Sequence, residues 1–191
     1  MLFRSDKRVK LDGNLMSRSA VQDVTIMFWF KTDKPQGTIF SAGRLDNKHG
    51  SALTLMNNEL IFHNDSNSLA AVGNWADNEW HHLVLTVSRT FNNAAIFLDD
   101  KQYAEFPAIR LSAISGDMWL GGDGFEGFID DYVIFEQALP KSLAESYGTI
   151  SPYGDEMGLM AYLPFSEAKE NSNGIIEQVF SPNDQIGRAH V

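Results

Sequence analysis

Apolar and polar residues alternate in short runs along most of this chain, and turn-forming residues separate the runs. A period of two is typical of β-strands, because successive side chains of a strand point to opposite faces of the sheet. Strands are predicted near residues 2–11, 24–32, 37–42, 51–56, 59–64, 80–88, 93–99, 102–106, 117–121 and 127–135. Many short strands with regular turns indicate an all-β fold made of two antiparallel sheets packed as a sandwich.

Turn and helix positions follow from a few residue types. Asn57–Asn58 and Asp99–Asp100 predict two-residue hairpin turns, since Asn and Asp tolerate positive φ. One short helix is predicted from about Pro140 to Tyr147, because proline suits the first helical turn and Gly148 would end the helix in a left-handed cap. Three loops are long enough to hold a binding site, namely 44–50, 64–79 and 121–126.

The segment 127–135 is apolar on both faces, which predicts a central strand that is covered on both sides. Strict alternation places Phe128, Tyr132 and Ile134 on one face and Ile129, Val133 and Phe135 on the other. Asp130 and Asp131 interrupt this apolar run. Buried carboxylates need hydrogen-bond donors, a cation or a metal, so these two residues are candidates for a structural or metal-binding role.

Three stretches resemble laminin-G-like domains of the concanavalin A-like lectin/glucanase superfamily. They are the Gly-apolar-acidic-acidic strand 127–135 leading into Ala138–Leu139, the strand Trp80–Val87 that begins Trp-His-His, and the strand Thr25–Thr32. The resemblance covers roughly residues 1–150. It implies a concanavalin A-like jelly-roll sandwich that ends in the short helix.

Residues 151–191 are predicted to form a linker, an extra strand and a tail. A boundary is expected at 150–154, and 158–167 has the pattern of a strand. It resembles the entry strand with which laminin-G-like modules begin. Either this strand completes the sandwich of residues 1–150 or it opens a neighbouring module, and we favour the second interpretation because the sandwich already has enough strands.

Composition excludes several classes of function. The net charge of -10 argues against binding to nucleic acid or to anionic membranes, because a protein that binds either one needs a basic surface. The absence of cysteine excludes disulfides and Cys-based zinc sites. Residues 1–8 lack the apolar stretch of a signal peptide, and no run approaches the ~18 apolar residues of a membrane span. The resemblance to laminin-G-like domains, by contrast, implies that the chain is one module of a longer secreted or cell-surface protein of a bacterium.

The sequence predicts no catalytic residue. Glucanases of the same superfamily use an acid-rich strand of the type Glu-x-Asp-x-x-Glu, and retaining chemistry needs two carboxyls about 5–5.5 Å apart. Glu126, Asp130, Asp131 and Glu136 do not reproduce that spacing. No Gly-x-Ser-x-Gly or His-Glu-x-x-His motif is present either. We therefore predict that the protein is not an enzyme.

Calcium is the one cofactor for which the sequence gives a candidate ligand. Many relatives hold calcium near the rim of the sandwich through the first acid of the acidic pair, so the resemblance implies Asp130 as a ligand. The alternative is that Asp130 accepts hydrogen bonds from backbone amides of the adjacent loop. His81 and His82 are not expected to bind one metal together, because neighbouring strand residues point to opposite faces; one imidazole is expected to pack and the other to lie at the sheet surface.

Sugar binding would use aromatic rings together with Asp and Asn side chains. The candidate residues are Trp75, Asn74 and Asp77 in the second loop, together with Trp119. Trp75 is interpreted either as a platform for a sugar or as an anchor that packs against the sandwich, and Trp119 either as core or as a partly exposed platform. Trp29 and Trp80 are predicted to lie in the core.

These observations leave two functions of different classes. The first is a non-catalytic carbohydrate-binding module that works through loop aromatics, with or without calcium. The alternative is a structural or protein-interaction module, such as an adhesin segment or spacer without a small ligand. The expected partners are a glycan or a protein at the cell surface and other modules of the same longer chain.

Overall fold

A computed structural model of the chain describes residues 2–3, 8–11, 23–44, 49–106 and 118–165. The strands in these ranges are β1 (Leu2–Phe3), β2 (Val9–Leu11), β3 (Asp23–Lys31), β4 (Gln36–Arg44), β5 (His49–Met56), β6 (Glu59–Asn64), β7 (Asn67–Ala71), β8 (His81–Ser88), β9 (Asn93–Leu98), β10 (Lys101–Phe106), β11 (Met118–Leu120), β12 (Gly127–Phe135) and β13 (Leu159–Leu163). The helix within the described residues is α1 (Lys141–Ser146). In this part of the chain, no helix has the length and hydropathy that crossing a membrane requires.

The strands form two antiparallel sheets. Sheet A has the order β1-β12-β3-β8-β9-β10, and β13 also pairs with β12. Sheet B has the order β2-β11-β4-β5-β6-β7. The predicted all-β, two-sheet jelly-roll sandwich with one short helix is confirmed.

The inward faces of the two sheets form one hydrophobic core. Sheet A contributes Phe28, Phe30, Leu83, Leu85, Ile129, Tyr132 and Ile134, and sheet B contributes Phe40, Leu53, Leu60, Phe62, Met118 and Leu120. Every one of these side chains is almost completely buried. Burial of each such side chain contributes about 1.5–3 kcal/mol, so the alternating pattern of the sequence is the main determinant of this fold.

The helix α1 covers the outer face of sheet A and creates a second, smaller core. Ala144 of the helix and Leu139 before it pack on Val84, Val133 and Phe135. The Thr25 hydroxyl holds this segment, because it donates to the Gln137 carbonyl (2.8 Å) and accepts from the Leu139 N–H (2.9 Å). The second half of strand β12, from Tyr132 to Phe135, is therefore covered on both faces, as its apolar residues predict.

Gly148 does not end the helix in the predicted manner. The cap residue Tyr147 keeps right-handed helical angles, and Gly148 is absent from the described residues with positive φ. The prediction of a left-handed glycine cap is wrong. The glycine instead allows close packing, since a Cβ atom at position 148 would lie 2.9 Å from Nδ1 of His82.

The two predicted hairpin turns are confirmed. Asn57 and Asn58 have φ values of 53° and 71°, and Asp99 and Asp100 have φ values of 48° and 64°. Two successive residues with positive φ match the right-handed twist of the flanking strands. These turns connect β5 to β6 and β9 to β10.

The second predicted loop is shorter than expected. Residues 64–79 contain strand β7, which pairs with β6 through Leu69 opposite Phe62 and Ala71 opposite Leu60. The connection to β8 is therefore 72–80, called the 72–80 loop below. Of the first predicted loop, 44–50, residues 45–48 lie outside the described residues.

Strand β13 completes this sandwich. It pairs with β12 from Tyr132 to Phe135, and Ala161 and Leu163 belong to the main core. The favoured interpretation, in which the extra strand opens a neighbouring module, is wrong for Leu159–Leu163. Residues 166–191 of the predicted tail lie outside the described residues.

A β-bulge at Asp131 changes which residues of β12 share a face. Asp130 pairs with Trp29 and Val133 pairs with Met27, so two residues of β12 lie opposite Phe28 alone. Asp131 has φ 47°, and the extra residue shifts the alternation by one position. Ile129 therefore joins Tyr132 and Ile134 in the main core, while Phe128 lies on the outer face, where it is 39% exposed. The predicted assignment of Phe128 and Ile129 to their faces is wrong for this reason.

Candidate functional site

Three aromatic residues lie together at one end of the outer face of sheet A. This end is where β3 finishes and where β8 and β12 begin. Trp80 is 42% exposed and Phe128 is 39% exposed, and their ring centroids are 6.1 Å apart with an angle of 52° between the planes. Trp29 is half-buried on the same face. We call Trp29, Trp80 and Phe128 the aromatic patch.

The prediction that Trp29 and Trp80 lie in the core is wrong, because Trp29 is half-buried on the outer face and Trp80 is 42% exposed. His81 packs toward the interior, with its ring 5.5 Å from that of Phe30. Trp80, one position earlier, consequently points outward like His82. The helix α1 covers Val84 further along the strand but leaves Trp80 exposed.

His82 connects the aromatic patch to the covered part of sheet A. Its ring centroid lies 5.1 Å from that of Trp29, and its side chain is 4% exposed beneath Gly148. Burial lowers the pKa of His82, and the charges of Asp100 and Asp99 only partly oppose this effect. The two histidines point to opposite faces as predicted, but both are buried, so the expectation of one surface imidazole is wrong.

Charged groups border the aromatic patch. Lys31 lies directly opposite Phe128 in the pairing of β3 with β12, and Asp130 lies opposite Trp29. A Cβ atom at Gly127 would collide with the Lys31 carbonyl oxygen, so glycine permits this close approach of the two strands. A lysine and an aspartate are thus the cross-strand partners of Phe128 and Trp29.

The two acidic residues of β12 have different surroundings. The Asp130 carboxylate accepts a long hydrogen bond from the Asp131 N–H (3.2 Å). The Asp131 carboxylate accepts a hydrogen bond from the Tyr162 hydroxyl (2.8 Å). Burial and the nearby Asp130 charge raise the pKa of Asp131 although the Tyr162 hydrogen bond opposes them. Burial also raises the pKa of Tyr162 to about 12.

Trp75 is an anchor of the 72–80 loop. It is 6% exposed and belongs to the main core, and its Nε1–H donates to the Ala71 carbonyl (3.0 Å). Its ring meets those of His81 and Tyr103 edge-on, at 5.2 and 4.7 Å. Gly73 makes room for the ring, because a Cβ atom there would lie 2.7 Å from it. Of the two interpretations of Trp75, the buried anchor agrees with the structure and the exposed platform is wrong.

His81 joins the 72–80 loop to the β9–β10 turn. Its Nδ1 lies 2.7 Å from the Asp99 carboxylate and its Nε2 lies 3.0 Å from the Asp77 carboxylate. Burial lowers the pKa of His81, but the hydrogen bonds to Asp99 and Asp77 outweigh it and leave the pKa raised. The predicted sugar ligand Asp77 therefore has a structural partner, and it also accepts from the Glu79 N–H (2.9 Å). Asn74 is exposed on the same loop.

Trp119 lies on the outer face of sheet B, away from the aromatic patch. Its neighbours Met118 and Leu120 are in the core, and Trp119 itself is half-buried. The Arg8 guanidinium lies 4.1 Å from the centre of the Trp119 ring, and the Lys10 amine lies 5.4 Å from it. Cations within about 6 Å of an indole face are attracted to it, so a sugar would have to compete with Arg8 for this ring.

The predicted calcium site at Asp130 depends on the oxygen ligands that surround this residue. Asp130 and Asp131 are adjacent carboxylates, and no group of three or more His, Asp or Glu side chains able to hold a metal ion occurs among the residues that the structure describes. Calcium takes six to eight oxygen ligands. Asp130 would therefore need carbonyl oxygens or water to complete the shell, and the calcium site stays a prediction.

The aromatic patch has the chemistry of a sugar-binding surface. Exposed aromatic faces pack on the C–H faces of sugar rings, while amines and carboxylates hydrogen-bond their hydroxyls. The sequence gives one indication of this site. Trp80 lies an even number of positions before Val84 and Thr86, so alternation places the three side chains on the same face of the strand. In the structure Thr86 is partly exposed on the outer face of β8.

Solved structures of similar shape share little sequence with this chain. A protein from Bacteroides ovatus described as a "putative carbohydrate binding protein" has a TM-score of 0.69 and 13% identity, with 86% of this chain and 50% of that chain covered. A botulinum neurotoxin type C structure, whose cell entry depends on interaction with two ganglioside molecules, has a TM-score of 0.60 and 18% identity over 77% of this chain and 40% of that chain. The binding domain of botulinum neurotoxin DC in complex with rat synaptotagmin II has a TM-score of 0.58 and 16% identity, with 88% of this chain and 42% of that chain covered.

These likenesses show the fold. The chain spans half or less of the length of each of these three structures. A comparison with curated protein sequences yields no significant match. The laminin G 3 family, described as the concanavalin A-like lectin/glucanases superfamily, matches residues 3–142. That match covers well over half of the sequence, and the chain belongs to the laminin-G-like family of the concanavalin A-like superfamily.

Proposed function

We propose that this chain is a non-catalytic carbohydrate-binding module of a larger secreted or cell-surface bacterial protein, and that the aromatic patch on sheet A is its glycan-binding surface. The observation that carries the proposal is the pair of exposed rings of Trp80 and Phe128, 6.1 Å apart. Large aromatic side chains are usually buried in folded proteins, and exposed apolar patches commonly mark binding sites. A glycan is the occupant that suits both the rings and the polar groups of Lys31 and Asp130.

The rigidity of the patch supports binding with a small entropic cost. Trp29 and Phe128 lie within paired strands, and Trp80 directly precedes the first residue of β8. Its 72–80 loop is fixed by Trp75 and by the Asn78 N–H, which donates to the Thr32 carbonyl (2.8 Å). Side chains that are already ordered lose little conformational freedom when a ligand binds.

The similar structures agree with this proposal. The Bacteroides ovatus protein carries a carbohydrate-binding description, and the botulinum neurotoxin type C structure concerns ganglioside molecules. The absence of the glucanase-type carboxylate spacing from the sequence supports a module that binds without turnover. Its partners would be a glycan at a cell surface and other modules of the same longer chain.

A protein-interaction module is the second candidate. The binding domain of botulinum neurotoxin DC, which has a similar fold, forms a complex with the protein synaptotagmin II. An exposed aromatic patch also suits a protein partner, because aromatic residues are enriched at interfaces. The two candidates differ in whether an isolated glycan is bound.

A glycan array distinguishes these candidates. The labelled chain is applied with and without calcium, and a Trp80→Ala variant is applied in parallel. We expect binding to a restricted group of glycans by the native chain and loss of that signal in the variant. No bound glycan in either condition would contradict the proposal and favour the protein-interaction module. Release of reducing sugar from any bound glycan would overturn the non-catalytic assignment.

A further inference from the structure

We propose that His81, as an imidazolium, is a positioning residue that fixes Trp80 in the aromatic patch, so that the patch becomes less ordered when His81 loses its proton. This inference rests on the proposed function of the patch. It concerns a residue that does not touch the outer surface itself, because His81 is 7% exposed and packs inward against Phe30 and Trp75.

The two contacts of His81 require two ring protons. Carboxylates only accept hydrogen bonds, and Nδ1 and Nε2 of His81 each face one, from Asp99 and Asp77 respectively. A neutral imidazole has one N–H group, whereas an imidazolium has two. Both hydrogen bonds can therefore form at the same time only when His81 is protonated. The raised pKa of His81 agrees with it, since both carboxylates favour that form over the opposing effect of burial.

Loss of one proton from His81 would break its contact with Asp77 on the 72–80 loop. The contact with Asp99 is the shorter one, at 2.7 Å against 3.0 Å for Asp77. Asp99 is also held by the His82 N–H (2.9 Å). A neutral His81 would keep its remaining proton on Nδ1 and turn an unprotonated Nε2 toward the Asp77 carboxylate. Repulsion between the two acceptors would then release Asp77 from His81 and leave it with the hydrogen bond from the Glu79 N–H within the loop.

Trp80 lies between Asp77 and His81 in the sequence, so release of Asp77 acts on the segment that carries it. The rest of the 72–80 loop keeps its own hydrogen bonds, from the Trp75 N–H to the Asn58 carbonyl (3.0 Å) and from the Asn78 N–H to the Thr32 carbonyl (2.8 Å). The change would thus be confined to the Asp77 side chain and to residues 79–80, which follow the bonded Asn78. It would increase the mobility of the Trp80 ring without unfolding the sandwich.

The elements packed against His81 carry other charged residues. Glu79 lies on the loop, Lys31 on β3, and Asp100 and Lys101 at the β9–β10 turn. Histidine is the side chain whose charge ordinarily changes near neutral pH. His82 is the neighbour that matters, but burial lowers its pKa whereas that of His81 is raised. The two histidines therefore titrate on opposite sides of 6.5, the ordinary histidine value.

The test is an NMR titration of the whole chain that follows the tryptophan indole N–H signals and the histidine ring signals from about pH 5 to about pH 9. Trp80→Phe assigns the Trp80 signal. We expect the Trp80 indole to shift with the same midpoint as His81, above 6.5. The Asp77→Asn variant should fold, because asparagine has the same shape and keeps an oxygen that accepts from the Glu79 N–H. The variant should lower the His81 midpoint, since it removes one of the two carboxylates that raise the pKa of His81. His63→Gln, on sheet B, is the matched control and should leave the midpoint unchanged.

A second readout separates this inference from the proposed function. The glycan array is read at about pH 6 and about pH 8.5, and we expect about fivefold weaker binding at the higher pH, the low end of typical coupling between sites. A Trp80 signal that stays constant while His81 titrates would overturn the positioning role, whatever the array shows. An array without binding at either pH would refute the glycan proposal, while the NMR titration would still decide the role of His81.

Discussion

The Trp80 ring lies against the Phe128 ring, with centroids 6.1 Å apart, although the two residues come from strands that are separated by β3 in sheet A. Trp75, only five positions before Trp80, is buried in the main core instead. The 72–80 loop thus presents one tryptophan to the interior and one to the surface. This difference leads to the first prediction.

Trp75→Ala and Trp80→Ala should differ strongly in their effect on stability. Trp75→Ala removes a buried ring and its hydrogen bond to Ala71, and we expect the free energy of unfolding to fall by about 3–5 kcal/mol. Trp80→Ala removes a half-exposed ring, and we expect a loss of about 1 kcal/mol or less. Urea denaturation of both variants measures the difference. The reverse order would show that Trp80 is the core residue.

Asp131→Asn should preserve or raise stability. Asn still accepts the Tyr162 hydrogen bond, tolerates the φ of 47°, and removes a partly buried charge beside Asp130. Asp131→Val is the matched variant, and it should lose about 2 kcal/mol because a β-branched residue is strained at positive φ and cannot accept the hydrogen bond. Thermal or urea unfolding near neutral pH gives both values. A loss of stability in Asp131→Asn comparable to that in Asp131→Val would show that the negative charge itself is required.

The stability of the protein should depend on pH through His81. Because its pKa is raised in the folded state, its contribution is complete below the unfolded value of 6.5 and is lost as the pH rises through the folded pKa. We therefore expect the native chain to lose stability as the pH rises above 6.5 and through the folded pKa of His81. His81→Gln cannot titrate, so its stability should change less over the same range. Parallel curves for the two proteins would contradict this explanation.

The calcium site predicted from Asp130 is tested by thermal unfolding. If calcium binds the folded state, it raises the melting temperature by mass action. Asp130→Asn should remove that rise, while Asp123→Asn, an exposed aspartate on the 121–126 loop, should retain it. A native melting temperature that does not respond to calcium would eliminate the site.

The fold was predictable because it depends on local alternation. The strands of sheets A and B fall close to their predicted positions. The turns at Asn57–Asn58 and Asp99–Asp100 need positive φ, and Asn and Asp are residue types that tolerate it. Strand β7 was missed, since Asn67 and Ser68 at its start have the composition of a loop. Its place in the sheet is fixed by pairing with β6.

The site was less predictable because it depends on contacts between distant segments. Trp75 is buried by His81 and Tyr103, which the polar residues around it in the sequence do not indicate. The bulge at Asp131 adds a residue that a period of two cannot reveal, and it turns Phe128 outward. Strand alternation places Trp80 on the same face as Val84 and Thr86, whereas the resemblance of the Trp-His-His strand to a core strand implies that Trp80 is buried.

The central claim is that Trp80 and Phe128 bind a glycan, and isothermal titration calorimetry with the strongest glycan from the array tests it most directly. Three proteins are compared: the native chain, Trp80→Ala, and Trp119→Ala as a matched loss of a partly exposed tryptophan on the opposite sheet. We predict that Trp80→Ala weakens binding by about tenfold or more, corresponding to about 1.4 kcal/mol, while Trp119→Ala retains the native affinity within about twofold. Native affinity in Trp80→Ala, or loss of binding in Trp119→Ala alone, would contradict the assignment of the aromatic patch.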